Sequence, residues 1–453
     1  MATKNLLTYN AKVSSVEEAY FAPVAVVPPY YAVPLSSLYC FLSKVDPWPD
    51  DNNPPTPTQD QKYIKQVFKN MFVAKNITSN DISPVIKRVD WTTGVTYDYY
   101  RSDVDMFALN SDGTPVYSFY VRNQYDQVFK CLWNAGVPST VEPYFEPGSY
   151  GTNNIYLGAD GYKWKYMYTI DTGTKVKFMN ADWLPVPVGA NTPNPLLSAA
   201  GAGNIDVINV TNGGTGYDLA NAIVTVTVTG DGTGATGTVE VTDGVITDIV
   251  VTSTGTNYTY ANVSITSTIG SNAIAIAPPS PIGGHSFDPI SELGTSHVMF
   301  AVEFNGSEGE TIPTDITFHQ LGILINPTTS ELSPLPANGT IYKTTTDLVM
   351  APGFGVYVND EVVYQGDIAN PTFTGTVLSF DPASNVIRLI NITGSLTTNA
   401  PVHGKTSITT RTLLTYSVPN FTIFSGYMSY IENRNGITRS PDGIEQFKFV
   451  LGY

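Results

Sequence analysis

Apolar and polar positions alternate with a period of two along much of this chain, which is the spacing of β-strands. The clearest case is "DGYKWKYMYTI", residues 160–170. There Tyr162, Trp164, Tyr166, Tyr168 and Ile170 fall on one face, and Lys163, Lys165, Met167 and Thr169 on the other. "GADG" supplies turn residues before it. "PVYSFYV" and "QVFKCLW" read as two further strands joined by the polar turn "RNQYD". Tyr117, Phe119 and Val121 match Phe129, Cys131 and Trp133 as one apolar row. Several aromatic rows facing inward together predict the core of an antiparallel sheet rather than a ligand platform.

The helical period occurs convincingly once. Ile64, Val67, Phe68, Met71 and Phe72 form one apolar stripe, and Thr58 and Gln61 have capping-box spacing. This predicts a helix over residues 59–75, packed on a sheet.

Near Pro185 the pattern changes. "LPVPVGANTPNPLLSAAGAGN" is a Pro/Gly/Ala/Asn-rich link. Beyond it "INVTNGGTGYDLANAIVTVT" is echoed by "IVVTSTGTNYTYANVSITS", with a hairpin around Asp243-Gly244 between them. Thr/Val strands with Gly-rich turns predict a compact β module of about eighty residues. Its flanking links predict an independently folded insertion on the outside of the molecule. The Gly-rich "TGDGTGATG" lacks the helix, Lys or acidic spacing of a phosphate or calcium loop and reads as a hairpin. "HVMFAVEF" and "ITFHQLGILINP" then return to longer strands, and "GFGVYVNDEVVYQG" opens a small barrel-like unit.

In the aromatic C-terminal segment, Phe447, Phe449 and Leu451 alternate on one face. The segment is expected to rejoin the domain of the N-terminal helix. Arg434 and Arg439 are expected to form exposed pairs with Glu432 and Asp442.

The fold class is therefore mainly β, of α+β type: an antiparallel sheet or sandwich core with a small helical portion and inserted small β modules. The expected divisions are an N-terminal core at 1–190, the inserted module at 191–285, return strands at 286–350, the barrel-like module at 351–405 and closing strands at 406–453. A chain of 453 residues suits several such units.

Composition narrows function by exclusion. The net charge is −16, with only 14% charged residues, which counts against binding a phosphate backbone. Cys40 and Cys131 sit among large apolar residues and read as reduced and buried, one disulfide between them remaining an alternative. The four histidines, His285, His297, His319 and His403, have no zinc spacing with them. "YFAPVAVVPPYYAVPL" is apolar, but four prolines preclude an ordinary membrane helix. No signal-peptide pattern opens the chain, so a cytoplasmic origin is expected and the Asn-x-Ser/Thr triplets read as composition. Asp103, Asp105 and Asp112 form the nearest approach to a carboxylate cluster, and their Asn/Ser/Gly neighbours read as a turn. No nucleophile elbow, P-loop or dinucleotide fingerprint is found, and nothing singles out a pair of acids for glycoside hydrolysis. No catalytic, cofactor-binding or metal-ligating residue is expected.

"LYCFLSKVDPWPDD", "DISPVIKRVDWTTGVTYDYY", "FYVRNQYDQVFKCLWNAGVPSTVEP", "DGYKWKYMYTI" and "YIENRNGITRSPDGIEQFKFVLGY" resemble, in the same order, segments of the baseplate wedge protein family called gene product eight in T-even-type contractile-tailed phages. The resemblance implies a mainly β structural subunit of the virion, assembled in the host cytoplasm. It also implies a homodimer that contacts other wedge proteins, including the long wedge scaffold and the trimeric peripheral protein, and takes part in rearrangement during contraction. It brings no catalytic residues. The module near 200–283 departs from the family pattern. Two other classes compete: a host-surface glycan-binding adhesin, and a tail-associated polysaccharide-degrading enzyme.

Overall fold

A computed structural model describes residues 37–111, 113–146, 155–188, 203–308, 312–329 and 336–452. The apolar segment 20–35, Asp112 and most of the Pro/Gly link lie outside them. The protein is mainly β: among the described residues 48% are strand and 7% helix, arranged in antiparallel sheets and a six-stranded barrel. The described residues group into two units: 83–299 with 450–452, and 37–82 with 300–449. The region expected as one core at 1–190 is therefore divided, because residues 37–82 pair with strands from the second half of the chain.

In the unit of residues 37–82 and 300–449, five antiparallel strands follow the order Ile341–Lys343, Met71–Ile77, Leu38–Ser43, Ile316–Ile325 and Tyr427–Arg439. All six residues of the central strand Leu38–Ser43 are buried. The helix spans Gln61–Asn70, not 59–75. Its N-cap is Asp60, whose carboxylate accepts the Tyr63 amide at 2.8 Å, while Thr58 donates its hydroxyl to Asp60. Met71 and Phe72, expected on the helical stripe, begin a strand instead. The run Met71–Ala74 is apolar at every position, so it suits a doubly covered strand as well as a helix, and pairing with Leu38–Ser43 decides.

The barrel closes through strands Thr346–Met350, Val386–Gly394, Asn370–Asp381, Val362–Asp367, Pro401–Gly404 and Thr410–Ser417. Leu348, Val363, Phe373, Val377, Leu389 and Leu413 fill it. Its strands thus extend beyond the expected 351–405 at both ends. In the C-terminal strand Ile444–Gly452, Phe447 meets the rings of Phe304 and Phe318, both at 5.9 Å. Arg434 pairs with Glu432 at 2.5 Å as expected. Arg439 does not join Asp442 at the surface. It is 0% exposed, pairs with Glu445 and donates to the carbonyls of Pro313 and Asn305.

In the unit of residues 83–299 and 450–452, a four-stranded antiparallel sheet has the order Tyr120–Arg122, Gln127–Trp133, Lys163–Thr169, Ile155–Leu157. A bulge interrupts the aromatic strand: Tyr168 pairs with Val128 but Tyr166 with Phe129, leaving Met167 extra. Side-chain alternation slips there. Tyr162 and Trp164 consequently pack with Tyr97, Val121, Phe129 and Cys131, whereas Met167, Tyr168 and Ile170 join Phe119, Tyr120, Ile290 and Leu293. The five alternating residues do not share one face, and Phe119 and Val121 are not in one row. The expected strand at 115–121 is regular only from Tyr120.

The Thr-rich module explains its own sequence echo. Thr215 pairs with Ser271 as Thr256 pairs with Thr233, and Gly213 with Ala273 as Thr254 with Ala235. The register shifts at the same place in both ladders, after Ile274 and after Thr236. Strands Val224–Gly230 and Ala261–Ser267 pair with each other, and Ile208 bridges Ile249. These relations are those of a local twofold axis. Tyr217 and Tyr258 are its matched anchors, both buried, with hydroxyls accepting the amides of Ala273 (3.3 Å) and Ala235 (3.2 Å). Gly214 and Gly255 have φ of 64° and 61°, and a Cβ at either would come within 2.9 Å of the neighbouring tyrosine ring. Asp243 and Gly244, with φ of 52° and 78°, form the predicted hairpin turn.

Candidate functional site

The aromatic strand lies in the core. Trp164 is 0% exposed, stacked on Tyr162 at 5.4 Å and edge-on to Tyr97 at 5.6 Å, so its ring has no surface left for a ligand. The carboxylates near residue 103 are engaged locally: Asp103 accepts two bonds from Arg101, and Asp105 accepts the Phe107 amide at 3.0 Å. Among the described residues no group of His, Cys, Asp or Glu is placed to hold a metal ion. Cys40 and Cys131 are free and buried, and burial pushes both thiols up.

The histidines are dispersed. His297 packs on Trp183 at 4.6 Å, His319 reaches Asp51 at 3.1 Å, and His403 meets the Thr410 hydroxyl at 2.9 Å. His285 alone belongs to a larger constellation, one the sequence does not announce.

That constellation covers the back of the aromatic sheet. Lys130, Lys163 and Lys165 alternate with the core aromatics, and all three are buried. Lys130 and Lys165 sit opposite each other on paired strands. Lys130 Nζ lies 3.1 Å from Glu292 Oε2 and 4.2 Å from the centre of the Tyr100 ring. Glu292 also accepts the amides of Phe287 (3.0 Å) and Asp288 (3.3 Å), with His285 Nδ1 3.4 Å away. Lys163 Nζ pairs with Asp248 at 2.6 Å and donates to the Ile208 carbonyl at 3.0 Å.

Burial pushes Lys130, Lys165 and His285 down, with nearby carboxylates opposing that shift. Burial also disfavours the Glu292 carboxylate, but the charge of Lys130 and the bond and charge of His285 outweigh it and bring the group to about 2. The Lys130 and Glu292 side chains are 1% and 3% exposed, so a substrate has no route to them and their chemistry is to neutralise each other. The Thr-rich module is thereby bound to the sheet: Asp248, Ile208 and Asn209, whose amide donates to the Leu132 carbonyl at 3.0 Å, all belong to it. The insertion is joined by buried polar contacts as well as by its links.

Surface features of another kind occur in the unit of residues 37–82 and 300–449. A groove of about 700 Å³ is lined by Ile64, Lys65, Phe68, Phe424, Tyr427 and Ile431, among others. On the barrel, Phe354 is fully exposed and Ile408 nearly so. Buried Glu361 ties the loops that carry them, accepting the amides of Val358, Thr406 and Ser407. Large apolar side chains held outward on braced loops are suited to contact with another macromolecule.

No family model matches this chain, and no curated protein matches it.

Proposed function

We propose that this chain is a non-catalytic structural subunit of the baseplate wedge of a contractile phage tail. In this reading it acts as a homodimer that joins neighbouring wedge proteins, the long scaffold and the trimeric peripheral protein among them. It takes part in baseplate assembly and in rearrangement on contraction, and its place is the virion.

The observation that carries the reading is the ordered resemblance of five segments, four in the first 170 residues and one at the C-terminal end. Support comes from the positions of those segments. "LYCFL" is in the central strand of one sheet, "QVFKCLW" and the aromatic strand are adjacent in another, and the C-terminal segment supplies the edge strand and the strand of Phe447. Segments that build cores are the ones a shared fold would retain, whereas the twofold module is where the pattern departs. The dispersed, locally satisfied carboxylates and the exposed apolar loops suit a protein that works through interfaces.

Light scattering on the purified chain tests the oligomeric part. A species of twice 49.0 kDa is expected, and monomer alone across micromolar concentrations would remove that part of the proposal.

A further inference from the structure

Tyr427–Arg439 is the outer strand of its five-stranded sheet. Its second half is covered: the Trp48 indole donates to the Arg434 carbonyl at 2.9 Å, and the Asn433 amide to the Pro55 carbonyl at 2.6 Å. Its first half, Tyr427 to Ile431, lines the groove instead, facing Ile64, Lys65 and Phe68 of the helix. Within that half, Met428 pairs with Leu324 and Tyr430 with Ile323, so Ser429 has no partner on the neighbouring strand.

We propose that this groove receives an extended peptide strand from a partner protein, apolar along its length and bearing carboxylates at the end beside the helix. An edge strand beside a trough with an apolar floor of Ile64, Phe68, Phe424 and Ile431 and polar walls of Gln59, Gln61 and Lys65 is an arrangement by which proteins add a strand, with main-chain bonds giving affinity and side-chain pockets giving selectivity.

Charge selects the occupant. The helix carries Lys62, Lys65 and Lys69 and has no acidic residue in its first turn, in a chain whose net charge is −16. Lys65 and Lys69 form no ion pair among the described residues, and Lys65 lines the groove. The acidic group nearest in sequence, Asp60, is engaged as the N-cap. A carboxylate-bearing strand is complementary to this rim, and a basic one is repelled.

The lip of the groove is set in advance. Phe424 has φ of 71°, a conformation that bulky residues rarely adopt, yet its ring is 52% exposed and meets Phe68 edge-on at 5.7 Å. Ser425 holds the turn, accepting the Thr328 amide and donating to the Thr422 carbonyl. Backbone strain that leaves an aromatic ring in water at a groove mouth marks a position shaped for contact. The groove would take such a strand whichever assembly the chain belongs to.

The experiment is fluorescence anisotropy on the full-length protein with two labelled heptapeptides, Glu-Glu-Val-Tyr-Val-Phe-Val and Lys-Lys-Val-Tyr-Val-Phe-Val. The acidic peptide is expected to bind saturably, and the basic one at least about tenfold more weakly. Lys65→Glu should narrow or invert that preference. Phe424→Gly should abolish binding without lowering the melting temperature, because glycine takes a positive φ without strain. No saturation by about 1 mM, equal affinity for the two peptides, or unchanged binding by Phe424→Gly would overturn the proposal. A change in the oligomeric mass of Phe424→Gly would assign the groove to a second copy and overturn it equally.

Discussion

Replacing Glu292 by Gln removes one charge from a site where solvent cannot replace it. The Lys130 and Glu292 side chains are 1% and 3% exposed. Gln keeps the shape, and its carbonyl can still accept the amides of Phe287 and Asp288, which turns its NH2 toward Lys130, so the loss combines the charge with the hydrogen bond from Lys130. Moving a carboxyl from its ordinary 4.5 to about 2 corresponds to roughly 3 kcal/mol in favour of the folded, ionised form. Removing one partner of a buried pair costs about 3–5 kcal/mol by general experience, which agrees.

Urea denaturation of wild type, Glu292→Gln, Lys130→Met and the double variant gives the cycle. The single variants should each lose about 3 kcal/mol or more, and the double variant much less than their sum. The pH dependence has a definite sign. A depressed carboxyl stabilises fully above about 4.5 and loses that contribution as pH falls toward about 2, so the gap between wild type and Glu292→Gln should narrow in acid. A cost below about 1 kcal/mol, additive losses, or a gap that does not change with pH would mean that Lys130 and Glu292 are not a coupled, buried ion pair.

Three further outcomes follow from the packing. Trp164→Ala should cost about 3–5 kcal/mol in thermal or urea unfolding, since the ring is fully buried between Tyr162 and Tyr97; a near-neutral shift would contradict its place in the core. Truncation from Gly443 onward removes Phe447 and Phe449 and strands the buried Arg439 without Glu445, so the product should be insoluble in an expression trial. Tyr217→Phe and Tyr258→Phe should destabilise equally, each by about 1 kcal/mol, because each removes one matched hydroxyl bond; a large difference between their unfolding curves would contradict the twofold relation.

The period-two alternation and the turn residues made the sheets legible. "QVFKCLW" coincides with its strand, Asp243-Gly244 with its hairpin, and the echo with a symmetric pair of ladders. What was not legible depends on partners distant in sequence. The helix ends before Met71 because Leu38–Ser43 offers a strand to pair with, which no local period encodes. The slip at Met167 is a property of two strands, not one.

Nothing in the spacing of lysines alternating with aromatics tells whether their face is buried. The lysine face is buried because Asp248 and Glu292, far along the chain, come to lie on it. Arg439 differs from its expected surface pair for the same reason: a guanidinium beside turn residues looks exposed until Glu445 and the carbonyls of Asn305 and Pro313 surround it. The groove at Phe424 had no signal in the sequence, since its strained backbone and its helix wall are set by tertiary packing.

The role proposed for this chain is that of an assembly subunit in a tail baseplate. A cryo-electron reconstruction of contractile tails assembled in the presence of this chain is the sharpest check. Density is expected for the five-stranded sheet, the closed barrel and the twofold module within each wedge, present as two copies in contact with neighbouring wedge proteins. Absence of the chain from the particle, or its placement solely at a fibre tip or on a bound polysaccharide, would contradict it.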